Sequence, residues 1–231
     1  MEKIRVSELI EFQRKSNDTF KRNFAQKLKT RLPKVKAEDE EDGPGGDYWV
    51  SSTTCIYNVV KKEDTSLYEI KIADLLAMIE KAEDGRVKSR HRKNIEIVNN
   101  FKDFNIYEIR PIKILKFESI HKSQKVISVN DLPLYLNPNM VFSFEKNGKK
   151  EIGSIWLLPK AKGYKKNELG LFCEILHRFL TKHFADNYQI SDNFCVAIDT
   201  VSTQRVAYKE IISGAVPLSA DKTLSEIKSL M

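Results

Sequence analysis

The chain has little of what staples or stiffens a small secreted fold. Three cysteines in 231 residues, Cys55, Cys173 and Cys195, are too few and too scattered for a disulfide framework. An odd count leaves at least one thiol free, which fits a reducing cytoplasm. No run of about 18 consecutive apolar residues occurs, so the sequence offers no membrane-spanning helix. The opening MEKIRVSELIEFQRK has no continuous apolar stretch of the length a secretory leader needs. Seven prolines and nine glycines exclude collagen-like and low-complexity chains.

What is present can build a core. The hydrophobic set makes up 41% and charged residues 31%, enough apolar material to exclude a wholly disordered chain. The length fits one sizeable domain or a small two-part protein. The net charge of +7 permits an anionic partner without requiring one. Its distribution says more than its size.

Residues 1–36 hold eleven Lys/Arg against four Asp/Glu, as large an excess as that of the whole chain. Val6, Leu9, Ile10, Phe20, Phe24 and Leu28 recur at helical spacing, with a gap at Gln13–Asn17. They predict a narrow apolar stripe on a basic amphipathic helix, ended by Leu32-Pro33. Such a helix can detach and dock. The stripe over residues 5–28 then offers itself to a protein partner's groove or to a second copy of the chain. Residues 37–47, AEDEEDGPGGD, carry six acids and no base and read as a flexible acidic linker.

A helical region is expected over 48–110. Ile56, Val59 and Val60 mark one inward face, and Ile70, Leu75, Leu76 and Ile79 a second. A third runs through Ile95, Val98 and Phe101, with Ser89 as its cap and the basic run Arg86–Lys93 before it. From 111 to 215 the pattern becomes a sheet core. IKILKF (112–117) and KVISV (125–129) read as strands. Residues 138–160 read as a β-hairpin turning at Asn147-Gly148, where two residues of positive φ make a tight turn. Both hairpin arms are apolar on both faces, which places them in the middle of a covered sheet. An amphipathic helix follows over 165–184, then strands at 193–199 and 203–208, and a C-terminal tail or helix over 216–231. The fold class is therefore α+β with an α/β-like grammar: a helical N-terminal half, then a mixed sheet with a central β-hairpin and a flanking helix.

The helix–strand–strand–strand–helix–strand order from about residue 88 to 200 resembles the PD-(D/E)xK nuclease-like superfamily. The positions that match its motif are Pro138-Asn139 at the start of one hairpin arm and Leu158-Pro159-Lys160 late on the other. In that family an Asp and an acidic residue hold Mg²⁺, and the lysine orients or activates the attacking water. A turn at 147–148 pairs Lys146 with Lys149. Counting back puts Asn139 opposite Trp156, with Leu158 and Lys160 on Asn139's face. The geometry suits the family's site, but Asn139 is neutral and Leu158 cannot ligate a metal. The resemblance therefore implies a nuclease-like αβββαβ core without a cofactor. Mg²⁺ enters only if Glu145 or Asp199 rebuilds the site as a rearranged nuclease.

Charge supplies the other candidate site. Residues 146–166 carry seven lysines and one acid. Lys160, Lys162, Lys165 and Lys166, with Arg86, Arg90 and Arg92, are the candidate phosphate contacts, and Tyr164 the candidate stacking ring. Lysine dominates, which favours the backbone of DNA or RNA over base readout. Cys173 and His177 share a helix face, but two ligands make no zinc site. The expected partner is DNA or RNA, with protein docking through residues 5–28 as the alternative and no role for a membrane.

Overall fold

Short apolar runs broken by charged or capping residues fill the first hundred positions, and each run becomes its own helix. The computed structural model of the protein describes residues 2–32 and 48–231; the acidic stretch 37–47 lies outside the described residues. A two-residue strand, β1 (Ile4–Arg5), leads into α1 (Val6–Gln13), and α2 (Asp18–Thr30) follows after a break. The basic helix expected over 1–36 is thus two helices. Ser16 and Asn17 are poor helix-interior residues and good caps, and Asn17 Oδ1 accepts a hydrogen bond from the Phe20 amide at 2.9 Å. Nor does this segment stand apart. Ile4, Val6, Leu9, Ile10, Phe12, Ala25 and Leu28 are buried in the main core. Most of the apolar stripe expected to dock into a partner is spent on the chain's own interior, while Phe20 within it stays exposed.

Helices α3 (Val50–Lys62), α4 (Ser66–Lys81) and α5 (Gly85–Lys102) follow. In α4 the buried positions are Tyr68 and Leu75. Ile70 and Leu76, expected inward, are exposed, because each lies roughly 100° or more around the helix from Leu75. Helix α5 begins earlier than Ser89: Asp84 Oδ1 accepts from the Arg86 amide at 2.7 Å. The bases Arg86–Lys93 therefore ride on its first turns instead of preceding it.

Next come β2 (Lys116–Glu118), β3 (Val126–Val129), β4 (Leu132–Tyr135), β5 (Met140–Lys146) and β6 (Lys149–Leu158). Then follow α6 (Lys166–Phe184), β7 (Gln189–Asp199), β8 (Arg205–Ala207), α7 (Tyr208–Ile212) and α8 (Ala220–Leu230). The strand expected over 112–117 shrinks to three residues, and Ile112 is 80% exposed. Strand β4 has no counterpart in the sequence pattern. It pairs back on β3 through Asn130 and Asp131, whose φ values of 50° and 63° make a tight turn without glycine.

A five-stranded sheet runs β2-β5-β6-β7-β8, and β1-β4-β3 form a smaller one. The β5–β6 register runs from Met140↔Ile155 to Lys146↔Lys149, as turn counting requires, with Asn147 and Gly148 at φ 52° and 74°. Strands β6 and β7 are parallel and are joined by α6 as a crossover. The large sheet is covered on both faces. On one side Trp156, Leu158 and Ala197 join α1, α2, α6 and α8. On the other Phe142, Ile155, Leu157 and Ile198 join α3 and α5. The helical region 48–110 and the sheet core therefore share a hydrophobic interior. The C-terminal helix belongs to the other face, with Ala220, Leu224 and Ile227 fully buried.

Candidate functional site

The hairpin ends where the motif positions lie, at the carboxyl ends of β6 and β7. Asn139 donates its backbone N–H to Ile155 O at 3.1 Å, and its Oδ1 accepts from the Leu157 amide at 2.8 Å. That side chain finishes the strand ladder where a metal-binding Asp would face outward. Leu158 is 5% exposed and belongs to the core beside α6. Opposite it across the parallel pairing stands Asp199, only 1% exposed. Its oxygens accept from Ser202 Oγ at 2.7 Å, the Val201 amide at 3.1 Å and the Tyr164 amide at 3.3 Å. The carboxylate ties the turn after β7 to the loop after β6. Gly163 permits that approach: its φ is +63°, and a Cβ there would lie 2.6 Å from Asp199 Oδ2.

The second rescue acid is elsewhere. Glu145 is exposed and pairs in register with Lys150, eight residues from Leu158, or about 26 Å along the strand. Glu145 and Asp199 cannot share a cation. Among the described residues, no group of three or more His, Cys, Asp or Glu is placed to hold a metal ion. The donors at the motif positions do not fit Mg²⁺, which needs several oxygen ligands at one point.

The lysines sort differently from their order in sequence. Lys146, Lys149 and Lys150 sit at the hairpin tip, and Lys160, Lys162, Lys165 and Lys166 at the far end of β6, roughly 30 Å away. The charge run over 146–166 is two patches. In the second, Lys162 and Lys165 are exposed, while Lys166 pairs with Glu210 at 2.6 Å. Lys160 Nζ lies 4.8 Å from the centre of the Tyr164 ring. That ring also meets Phe172 edge-on at 5.1 Å and the Arg14 guanidinium at 6.0 Å. Burial pushes the Tyr164 phenol up to about 12. Tyr164 is a half-buried strut packed between Phe172, Lys160 and Arg14.

Arg86 and Arg92 are exposed on the first turns of α5, and Arg90 is half-buried with its carbonyl held by Asn94. The other end of α5 touches the site, where Asn100 Nδ2 donates to Val201 O at 2.6 Å. From Asn100 back to these arginines is about 12–21 Å along the helix axis. The α5 bases flank the site at a distance and do not join it by contact.

The N-terminal bases do join it. Arg14 donates from Nε and Nη2 to the two carboxylate oxygens of Glu168, at 2.5 and 2.6 Å, and Glu168 Oε2 also accepts from the Lys165 amide at 2.8 Å. Burial pushes the Glu168 carboxyl up, but the Arg14 and Lys165 hydrogen bonds outweigh it and hold the group below its usual range. Arg14 is also a wall of a groove of about 430 Å³ along α2, lined by Lys15, Ser16, Phe20, Asn23, Phe24 and Lys27. On the other side of Tyr164, a cleft of about 500 Å³ is lined by Lys162, Gly163, Tyr164, Ser202 and Gln204. Arg14 thus links the α2 groove to the β6–α6 loop. Other N-terminal bases are neutralised internally: Arg31 by Glu8 and Lys21 by Glu226. Lys15 and Lys27 form no ion pair among the described residues.

Sequence reading found the loop lysines but missed Arg14, Ser202 and Gln204. Glu168 three residues after Lys165 is a helix-start signal. Nothing in the chain points it to an arginine 154 residues away. Compared with protein-family models, curated proteins and solved structures, the chain matches none of them.

Proposed function

We propose that the chain binds nucleic acid through its phosphates, on a nuclease-like core that has lost its metal-binding acids. The observation that carries this reading is the link through Arg14. Arg14 lines the α2 groove and bonds Glu168 beside the β6–α6 loop, and on this reading Lys15, Lys27, Lys160, Lys162 and Lys165 act as one basic surface. Each phosphate neutralised there releases a condensed counterion, which makes such a surface attractive to a polyanion. Lysine supplies point charges with little base discrimination, so the affinity is independent of sequence. Arg86, Arg90 and Arg92 provide a second, flanking phosphate contact.

The element order α5, β2, β5, β6, α6, β7 supports the resemblance to the PD-(D/E)xK superfamily, with β3 and β4 as an insertion. The engaged amide of Asn139, the buried Leu158 and the fully used Asp199 argue against cleavage. Three buried cysteines without disulfides support a cytoplasmic setting. No helix among the described residues is long and apolar enough to cross a membrane.

The test is fluorescence anisotropy with labelled DNA and RNA at several salt concentrations. Affinity should fall steeply with salt, and Lys162→Glu with Lys165→Glu should flatten the logarithmic slope by about two. Salt-insensitive or absent binding would overturn the reading. Mg²⁺- or Mn²⁺-dependent cleavage, lost in Asp199→Ala, would overturn its non-catalytic part.

A further inference from the structure

The groove on α2 holds a large aromatic side chain left open beside basic residues. Phe20 is 54% exposed, whereas Ala25 and Leu28 of the same helix are buried. Its backbone is fixed, because its amide is the one capped by Asn17. Phe20, Asn23 and Lys27 fall at helical spacings of three and four, so they share a face. Lys15 approaches from the preceding turn, its Nζ 5.1 Å from the Phe24 ring. The result is an exposed ring on a capped helix start, with an amide one turn along and the ammonium groups of Lys15 and Lys27 lining the same groove.

We propose that Phe20 is a stacking platform for an unpaired base, which makes single-stranded nucleic acid the ligand class of this surface. The proposal rests on the nucleic-acid reading above and adds to it the state of the strand. A base has two apolar faces and flanking phosphates, matching an exposed ring in a groove it shares with Lys15 and Lys27. In a duplex both faces are covered by neighbouring bases, and Phe20 would have nothing to stack on. Asn23 can reach a base edge with both a donor and an acceptor. From Phe20 the strand leads past Arg14 to Lys160, Lys162 and Lys165, which take phosphates further along. Tyr164, the aromatic inside the charge run, is half-buried with Phe172, Lys160 and Arg14 packed around it, and presents less of its ring than Phe20 does.

The experiment uses the full chain with labelled dT15, rU15 and a 15-base-pair duplex as probes. Phe20→Ala should weaken dT15 and rU15 by about ten-fold, the scale of one lost base–aromatic stack. It should leave the salt slope and duplex affinity unchanged, since no phosphate contact is removed. Phe20→Trp should restore single-strand affinity, and its added fluorescence should be quenched by dT15. Unchanged single-strand affinity in Phe20→Ala overturns the proposal, as does an equal loss on the duplex. So does a loss of self-association with nucleic-acid affinity intact, which would assign the ring to a protein interface. If the unaltered chain binds none of the three probes, the nucleic-acid reading itself fails. That result is distinct from a failure confined to position 20.

Discussion

Alanine at position 14 should cost about 2–3 kcal/mol of stability, the scale of losing charge-assisted hydrogen bonds to a mostly buried carboxylate. Arg14 makes both hydrogen bonds to Glu168, whose side chain is 10% exposed. Without the guanidinium, that carboxylate keeps only the Lys165 amide. The change also loosens α1 from the start of α6, so the loop carrying Lys160–Lys165 loses its seat. Acid should erase the difference. A carboxyl held below its usual range in the folded state adds stability above its unfolded pKa, and loses it as pH falls through the lowered folded value. Urea denaturation at pH 7 should therefore separate Arg14→Ala from the unaltered chain, and the gap should narrow progressively as pH falls below the ordinary carboxylate range. Equal midpoints at pH 7, or a gap that does not narrow with acid, would show that the pair does not hold the segment in place.

The second large effect is expected at Gly153 in the middle of β6. It stands opposite Phe142 across the hairpin, where the pairing with β7 shifts between Ile152 and Ser154. A Cβ built there would lie 2.7 Å from Phe194 O and 2.9 Å from both Phe194 Cβ and Phe142 Cε2. Two of those three atoms are fixed by backbone position, so no side-chain rotation relieves the crowding. Gly153→Ala should cost about 3 kcal/mol, at the upper end of overpacking penalties. For a chain of this size that lowers Tm by roughly 6–12 °C. Calorimetry placing the variant within about 2 °C of the unaltered chain would mean the irregular pairing absorbs a methyl group.

The hairpin was the most legible part of the sequence, because Asn147-Gly148 fixes both the turn and the register of everything before and after it. The long helix α6 was legible for a similar reason, since Leu169, Phe172, Leu176 and Leu180 keep one period across about three turns. Short elements were not. Strand β4 contains Pro133 and turns through Asn130-Asp131, so local pattern alone gave it no strand signal. Exposed Ile70 and Leu76 looked like core because periodicity cannot say which of two apolar faces finds a partner. The candidate site was legible as charge and illegible as geometry. Adjacent lysines at 146–166 proved to occupy opposite ends of a ten-residue strand. Arg14 and Glu168, far apart in the chain, meet through two hydrogen bonds. Linear charge runs report composition along the backbone, and a strand can carry one end of a run away from the other.

The closing of α2 against α8 bears on the order in which the molecule assembles. Lys21 pairs with Glu226 across 205 residues of chain, Gln26 donates to Leu230 O, and Ile4 pairs with Leu134 in the small sheet. Closing such long loops carries an entropy cost that only a nearly complete core repays. The hairpin and the α3–α5 helices are joined by shorter connections and can form first. In refolding followed by pulsed hydrogen exchange, amides of α1 and α2 should gain protection after those of β5 and β6. Early protection of α2 would reverse that order. In the expected order the α1–α2 segment is the last to become native, and until α8 packs against α2 its basic groove has no helix behind it.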